Sequence, residues 1–172
     1  FVSLKCHRDC FYCFNPNQQD YDYYREHTRD TTAELDALRA SNPHIKHVAL
    51  TGGEPLLYKE ETYRFFERAR QLFPSAHTRL YTCGDHIDRA TLESLQKAGL
   101  KEIRFSIRMH DLAKGHRNTY DNIALAREYI PNVMVEMPIL PNTLDEMKEI
   151  LLELDRMGIF GINLLEFCFP LN

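Results

Sequence analysis

The sequence predicts an α/β fold, and within that class an incomplete, TIM-like (β/α)6 barrel of parallel strands. Short runs rich in β-branched and aromatic residues alternate with longer amphipathic stretches along the chain. Such alternation is typical of parallel strands covered by helices. Polar or glycine residues follow or end nearly every run, which favours a barrel because its strands present their carboxyl ends at one rim. The alternative is an open doubly wound sheet, which would concentrate the site at a single crossover.

Six runs are predicted as strands because each is short and is bounded by turn-forming residues. They cover residues 2–4, 47–50, 78–81, 102–107, 132–140 and 161–169. Five helices are predicted between them, at residues 31–41, 59–73, 89–98, 120–130 and 144–157.

Caps and apolar spacing support these helices. Thr31 and Glu34 are typical of the start of a helix, and Gly99 is typical of a helix end. Tyr63, Phe66 and Ala69 recur at helical spacing and therefore define one face that can be buried.

Composition narrows the class of protein. The chain has 172 residues, which predicts a single domain over residues 1–172, and its first residue, Phe1, lies in an apolar stretch, so we expect a segment of a longer chain. The net charge of −4 without a basic stripe disfavours nucleic-acid binding. No apolar run approaches the ~18 residues of a membrane helix. Five cysteines, three of them bunched, indicate a reducing cytoplasm and a metal centre rather than a disulfide framework.

Cys6, Cys10 and Cys13 are spaced C-x3-C-x2-C. Three thiolates this close can hold an iron–sulfur cube by three corners and leave the fourth iron open for a small molecule.

Two other metal centres compete with the open cluster. A structural zinc site needs four ligands, and neither His7 nor His27 completes a recognisable zinc pattern with the cysteines. An electron-carrying cluster needs a fourth cysteine, whereas Cys83 and Cys168 lie far along the chain. The spacing therefore favours the open cluster.

Residues 51–55 read T-G-G-E-P directly after the second predicted strand. Alone, two glycines indicate only a tight turn. They also let backbone approach a ligand closely, and Glu54 offers a carboxylate to an ammonium group.

The cysteine motif, with Tyr12 beside its last member, and the later G-G-E-P together resemble the radical S-adenosylmethionine (SAM) superfamily over essentially the whole chain. The resemblance implies a [4Fe-4S] cluster held by the three cysteines, with SAM chelated to the fourth iron. It also implies reductive cleavage of SAM to a 5′-deoxyadenosyl radical that removes a hydrogen atom from substrate.

The resemblance further implies a set of SAM contacts. Residues 52–54 would line the methionine end and hold its ammonium, Tyr12 would lie near the adenine, and Ser106 would touch the ribose or carboxylate. Arg108 shares the face of Ser106 and would pair with the SAM carboxylate or, alternatively, with a surface acid. The full set is Tyr12, Gly52, Gly53, Glu54, Thr82, Ser106 and Arg108.

Several residues keep two interpretations. Many relatives carry T-N-G where this chain has T-C-G at 82–84, so Cys83 is either a buried thiol or a substrate contact. Glu136 and Glu166 are either functional or members of ordinary ion pairs. The polar, tyrosine-rich loop at 15–29 either covers the cluster or is solvated.

The predicted function is that of a cytoplasmic radical SAM enzyme with an external one-electron reductant and an unidentified substrate. Members with a C-terminal auxiliary-cluster (SPASM-like) module, many of which act on peptides or proteins, are the subfamily that the sequence resembles. A small-molecule substrate and an activase role toward a glycyl-radical enzyme stay open. The alternative is a non-catalytic zinc or iron–sulfur module.

Overall fold

The computed structural model describes residues 1–109 and 118–167. Within these residues five strands form one sheet: β1 His47–Leu50, β2 His77–Thr82, β3 Glu102–Ser106, β4 Asn132–Pro138 and β5 Gly161–Leu165. The α-helices are α1 Tyr21–Glu26, α2 Thr31–Ser41, α3 Lys59–Leu72, α4 Arg89–Ala98, α5 Asn118–Ala126 and α6 Leu144–Arg156. Short 3-10 helices lie at Asn15–Asn17 and Pro55–Leu57. None of the helices in the described parts is both long and apolar enough to cross a membrane.

The strand order distinguishes the two predicted architectures. The strands lie side by side in chain order, β1 to β5, and every neighbouring pair is parallel. A doubly wound sheet reverses its strand order at a switch point, whereas a barrel keeps the order of the chain. The predicted α/β fold of the incomplete-barrel type is therefore confirmed, with five strands in the described residues.

The strand predicted at residues 2–4 is wrong. This segment instead runs beside the loop after β1, where Gly53 N donates to Ser3 O (3.1 Å) and Glu54 N donates to Lys5 O (2.8 Å). Its other backbone groups bond elsewhere, since Leu4 N donates to the carbonyl of Tyr24 within α1. The segment divides its hydrogen bonds between helix α1 and the loop after β1, so no regular ladder forms.

The helices pack against one face of the sheet. Leu80, Ile103 and Val135 of the central strands are fully or almost fully buried and join one core with Phe66 of α3 and Leu95 of α4. Strand residues alternate between faces, so the neighbouring side chains point to the other side of the sheet.

That other face carries charge. Glu102, 3% exposed, accepts hydrogen bonds from Arg79 Nε (2.5 Å), Arg104 Nε (2.5 Å) and His77 Nε2 (2.7 Å). Burial raises the pKa of Glu102, but the bonds from Arg104, His77 and Arg79 outweigh it and hold the pKa below its usual value. Arg104 also reaches Glu136 Oε1 at 2.6 Å. The inner face of the partial barrel is thus a charged network that leads toward the rim.

Candidate cluster and cofactor site

All ten residues that the sequence singles out for the cluster and for SAM line one cavity. The cavity has a volume of about 330 Å³ and lies at the carboxyl ends of β1, β2 and β3. Its lining includes the three motif cysteines, Tyr12, Gly52, Gly53, Glu54, Thr82, Ser106 and Arg108. Six further lining residues are Arg8, Asn15, Thr51, Tyr81, Cys83 and Glu136.

The three motif cysteines are free thiols on a single loop. A backbone turn closes the loop, because Cys13 N donates to Cys10 O at 2.9 Å. Arg8 N donates to Cys6 Sγ (3.4 Å), and Arg108 Nη1 lies 3.9 Å from Cys10 Sγ. Burial raises the pKa of Cys6 and Cys10, and Arg108 opposes the rise at Cys10. Three thiols around one cavity are a donor set that fits a cluster with one open iron.

The candidates for a fourth zinc ligand are engaged elsewhere. His27 stacks on Tyr23 with ring centroids 4.1 Å apart, and its Nδ1 lies 2.9 Å from the Tyr23 carbonyl. His7 contacts Asp85, with Nε2 and Oδ2 2.7 Å apart. Cys168 lies outside the described residues.

The two glycines admit the chain's own backbone. A Cβ on Gly53 would lie 2.0 Å from Lys5 O, and one on Gly52, whose φ is +132°, would lie 2.6 Å from Ser3 O. The sequence predicted that these glycines let backbone approach a ligand. In the structure they admit the segment that leads directly into Cys6, and so they position the cysteine loop.

Glu54 joins two of the loops at the rim. Its side chain is buried, with 2% exposure. Oε1 accepts from Leu56 N (3.0 Å) and Thr82 Oγ1 (2.7 Å), while Oε2 accepts from Cys83 N (2.7 Å). The carboxylate that the sequence assigned to the SAM ammonium therefore already accepts three protein hydrogen bonds, which tie the loop after β1 to the end of β2.

Arg8 is a site residue that the sequence reasoning missed. Its guanidinium binds Asp85 in a fork, with Nε 2.7 Å from Oδ2 and Nη2 2.5 Å from Oδ1. Its side chain is 9% exposed, although that of Asp85 is 39% exposed. Burial opposes the charge of Asp85, but the bonds from Arg8 and His7 hold its pKa well below the usual value. This pair fastens the cysteine loop to the loop after β2, and the only signal in the sequence was the position of Arg8 between two motif cysteines.

Asn15 is a second missed residue. Its Nδ2 donates to Gly52 O at 2.7 Å, so the chain after the cysteines also bonds to the glycine turn. Asn15 begins the polar loop that the sequence marked at 15–29, and part of that loop forms α1.

Aromatic rings stand beside the cysteine loop. The ring centroid of Tyr12 is 5.1 Å from that of Phe11 and 6.1 Å from that of Phe167. Phe11 and Phe167 also meet, at 5.6 Å. Phe167, which follows β5, thus joins the aromatic rings beside the cysteine loop.

Three residues with two interpretations differ in their surroundings. Cys83 is buried, at 8% exposure, and also lines the cavity; burial and the nearby Glu54 carboxylate raise the pKa of its thiol. Glu136 lines the cavity and also belongs to an ion pair. Its Oε1 accepts from Arg104 and from Asn163 Nδ2 (3.2 Å). Glu166 is exposed.

A curated relative is similar to this chain in sequence. A curated protein of Methanocaldococcus jannaschii, named "Putative glycyl-radical enzyme activating enzyme", is 30% identical over 178 residues, covering 97% of this chain. Those residues are 46% of that protein, so the chain spans about half the length of this relative.

Two solved structures share the fold. Streptococcus suis SuiB bound to the precursor peptide SuiA superposes with a TM-score of 0.77 at 16% identity, over 98% of this chain and 38% of SuiB. anSMEcpe with bound AdoMet and a Cp18Cys peptide gives 0.76 at 18% identity, over 99% of this chain and 50% of its own. The sequence profile of the Radical SAM superfamily matches residues 1–154. The chain therefore belongs to the radical SAM superfamily of enzymes, whose cofactors are a [4Fe-4S] cluster and S-adenosylmethionine.

Proposed function

We propose that this chain is the catalytic core of an enzyme that cleaves SAM reductively and removes a hydrogen atom from a peptide or protein. Cys6, Cys10 and Cys13 would hold the cluster. The observation that carries the proposal is the convergence of all three cysteines and of every predicted SAM contact on one cavity of about 330 Å³.

The bound cluster would supply one electron to break the C5′–S bond of SAM, which yields methionine and an organic radical that leaves as 5′-deoxyadenosine after taking a substrate hydrogen. Residues of the chain prepare the site for this step. Arg8 and Gly53 fix the cysteine loop against two neighbouring loops. Phe11 and Tyr12 stand beside the cysteines with ring centroids 5.1 Å apart, and Tyr12 lines the cavity.

SAM itself would lie along the rim of the partial barrel. Gly52, Gly53 and Glu54 would meet its methionine end, through backbone groups more than through the Glu54 carboxylate, which is bonded to protein donors. Tyr12, Thr82 and Ser106 would contact the nucleoside, and Arg108, beside Cys10, would attract the SAM carboxylate. These assignments rest on the shared cavity and on the family.

A polypeptide substrate is favoured by the named relative. Activation of a glycyl-radical enzyme removes a hydrogen atom from a glycine Cα, and the M. jannaschii protein carries that name at 30% identity. An external one-electron reductant would replace the electron that each cleavage of SAM consumes. Free thiols and a reduced cluster suit the cytoplasm, which cell fractionation tests directly.

The first experiment measures SAM cleavage. The protein is reconstituted with iron and sulfide under anaerobic conditions, reduced with dithionite and given SAM. We expect the wild type and a Cys168→Ala control to bind iron and release 5′-deoxyadenosine, and Cys13→Ala to release none. Equal release from wild type and Cys13→Ala would refute the proposal.

The second experiment tests the substrate class. A randomised peptide library that contains dideuterated glycine is added to the same assay. Deuterium in the recovered 5′-deoxyadenosine supports hydrogen abstraction from a polypeptide. Cleavage of SAM without deuterium transfer would remove glycine in peptides as the target while leaving the SAM chemistry in place.

A further inference from the structure

Three metal-ligating side chains converge at the rim beside the cysteine loop. They are His7 of that loop and Cys83 and Asp85 of the loop after β2, and their ligand atoms all lie within 4.8 Å of one another. His7 Nε2 is 2.7 Å from Asp85 Oδ2, and Cys83 Sγ is 3.4 Å from Asp85 Oδ2 and 3.9 Å from His7 Nε2. An imidazole, a thiol and a carboxylate therefore face one point.

These separations lie near those of a tetrahedral zinc site, and the 3.4 Å between Cys83 Sγ and Asp85 Oδ2 falls within the expected range. Zinc binds nitrogen and oxygen at about 2.0–2.1 Å and sulfur at about 2.3 Å, so tetrahedral ligand atoms are roughly 3.3–3.6 Å apart. The three observed distances bracket this range. Shifts of about half an ångström in side chains would bring all three ligand atoms to bonding distance.

The surroundings of the three residues resemble the outer shell of a metal site. The second ring nitrogen of His7, Nδ1, lies 3.3 Å from His86 Nε2, so a partner is in place to orient the imidazole. Arg8 Nη2 donates to Asp85 Oδ1, the carboxylate oxygen that does not face the cysteine. Arg8 Nε, now 2.7 Å from Asp85 Oδ2, would share that oxygen with the ion.

The site is reached from a second cavity of about 320 Å³. His7 and Asp85 line this cavity, whereas Cys83 lines the cofactor cavity, so an ion here would lie where the two meet. Arg8 and Arg108 line both cavities. Three protein ligands leave one position of a tetrahedral ion open on the accessible side, which is the arrangement of catalytic rather than structural zinc.

We propose that His7, Cys83 and Asp85 form a mononuclear zinc site with one open coordination position, separate from the iron–sulfur cysteines. A mixed nitrogen, sulfur and oxygen set with tetrahedral spacing favours zinc. Zinc has no redox chemistry, so it would not compete for an electron at the neighbouring cluster. The proposal does not depend on SAM cleavage.

Metal analysis of the cluster-loaded protein tests the site. Protein with its cluster reconstituted is dialysed against zinc and then freed of loosely bound metal. We expect one zinc per chain in the wild type and in a His44→Gln control, in which the exchanged histidine is exposed and lies outside the group. We expect Cys83→Ala and His7→Gln to lose at least tenfold in zinc affinity with unchanged iron. Substoichiometric zinc in the wild type, or full zinc in both variants, would overturn the proposal.

Cobalt substitution adds a readout that identifies the ligands. Cobalt bound at this site should show a thiolate-to-cobalt charge-transfer band that is absent from Cys83→Ala. Bound cobalt without that band in the wild type would also overturn the proposal. The side chain of His7 is 35% exposed, so the His7→Gln change is compatible with folding.

Discussion

Replacing Gly53 by alanine tests how the cysteine loop is positioned. The new Cβ would lie 2.0 Å from Lys5 O and 2.6 Å from the carbonyl carbon of Leu4. An ordinary contact begins near 3.4 Å, so the Lys5 carbonyl must retreat by about 1.4 Å. The obstructing atoms belong to backbone and cannot swing away as a side-chain tip can. The next residue along the chain, Cys6, must therefore move with them.

The cost follows from the hydrogen bonds that this movement breaks. Gly53 N to Ser3 O (3.1 Å) and Glu54 N to Lys5 O (2.8 Å) would both be lost, at about 1 kcal/mol each. A loss of about 2 kcal/mol lowers the melting temperature of a chain of this size by roughly 4–8 °C. Displacement of Cys6 should also reduce iron binding after reconstitution, since three thiolates must meet one cluster.

The assays are thermal unfolding of the iron-free protein and iron content after anaerobic reconstitution. Gly161→Ala is the matched control, because Gly161 also has an ordinary φ and its new Cβ would meet only the tip of Met134, at 3.2 Å. We expect that control to bind iron as the wild type does. A Gly53→Ala protein with wild-type melting and iron content would show that the close approach does not position the loop.

Three further changes have expected outcomes. Glu54→Gln replaces one of the acceptor oxygens with an amide nitrogen that cannot accept, and we expect the free energy of urea unfolding to fall by about 2 kcal/mol. Thr82→Val should lower it by less, and an unchanged unfolding midpoint in Glu54→Gln would contradict the role of Glu54 in joining the two loops. Glu102 has a depressed pKa, so its stabilisation is present above its unfolded value of about 4.3 and is lost as the pH falls through the lower folded value. Glu102→Gln should therefore lower the free energy of unfolding by about 3 kcal/mol at pH 7 and make it less dependent on pH below about 4. Parallel pH profiles of unfolding free energy for the wild type and Glu102→Gln would be evidence against this. Arg108→Gln removes a positive charge beside Cys10 and should lower the reduction potential of a bound cluster by roughly 50 mV. A redox titration measures this shift, and an unchanged potential would contradict the prediction.

Local patterns in the sequence predicted the cofactors and most of the helices and strands. The spacing of Cys6, Cys10 and Cys13 indicated three ligands for one cluster because it places three thiols on one short loop. Alternation of strand and helix patterns indicated a parallel sheet, and residues at strand ends were correctly expected to meet at one rim. These patterns depend only on residues that are close together in the chain, so they can be recognised without knowledge of the tertiary structure.

Contacts between distant segments were decided only by the tertiary structure. The sequence did not reveal that Gly53 admits the Lys5 carbonyl, that Glu54 accepts from Cys83, or that Arg8 and His7 meet Asp85. The partners in these four pairs lie 29 to 78 positions apart, so only the packing of the loops brings them together. Residue spacing and periodicity do not indicate which loops contact each other, because these contacts are set by the order and parallel register of the strands that precede the loops.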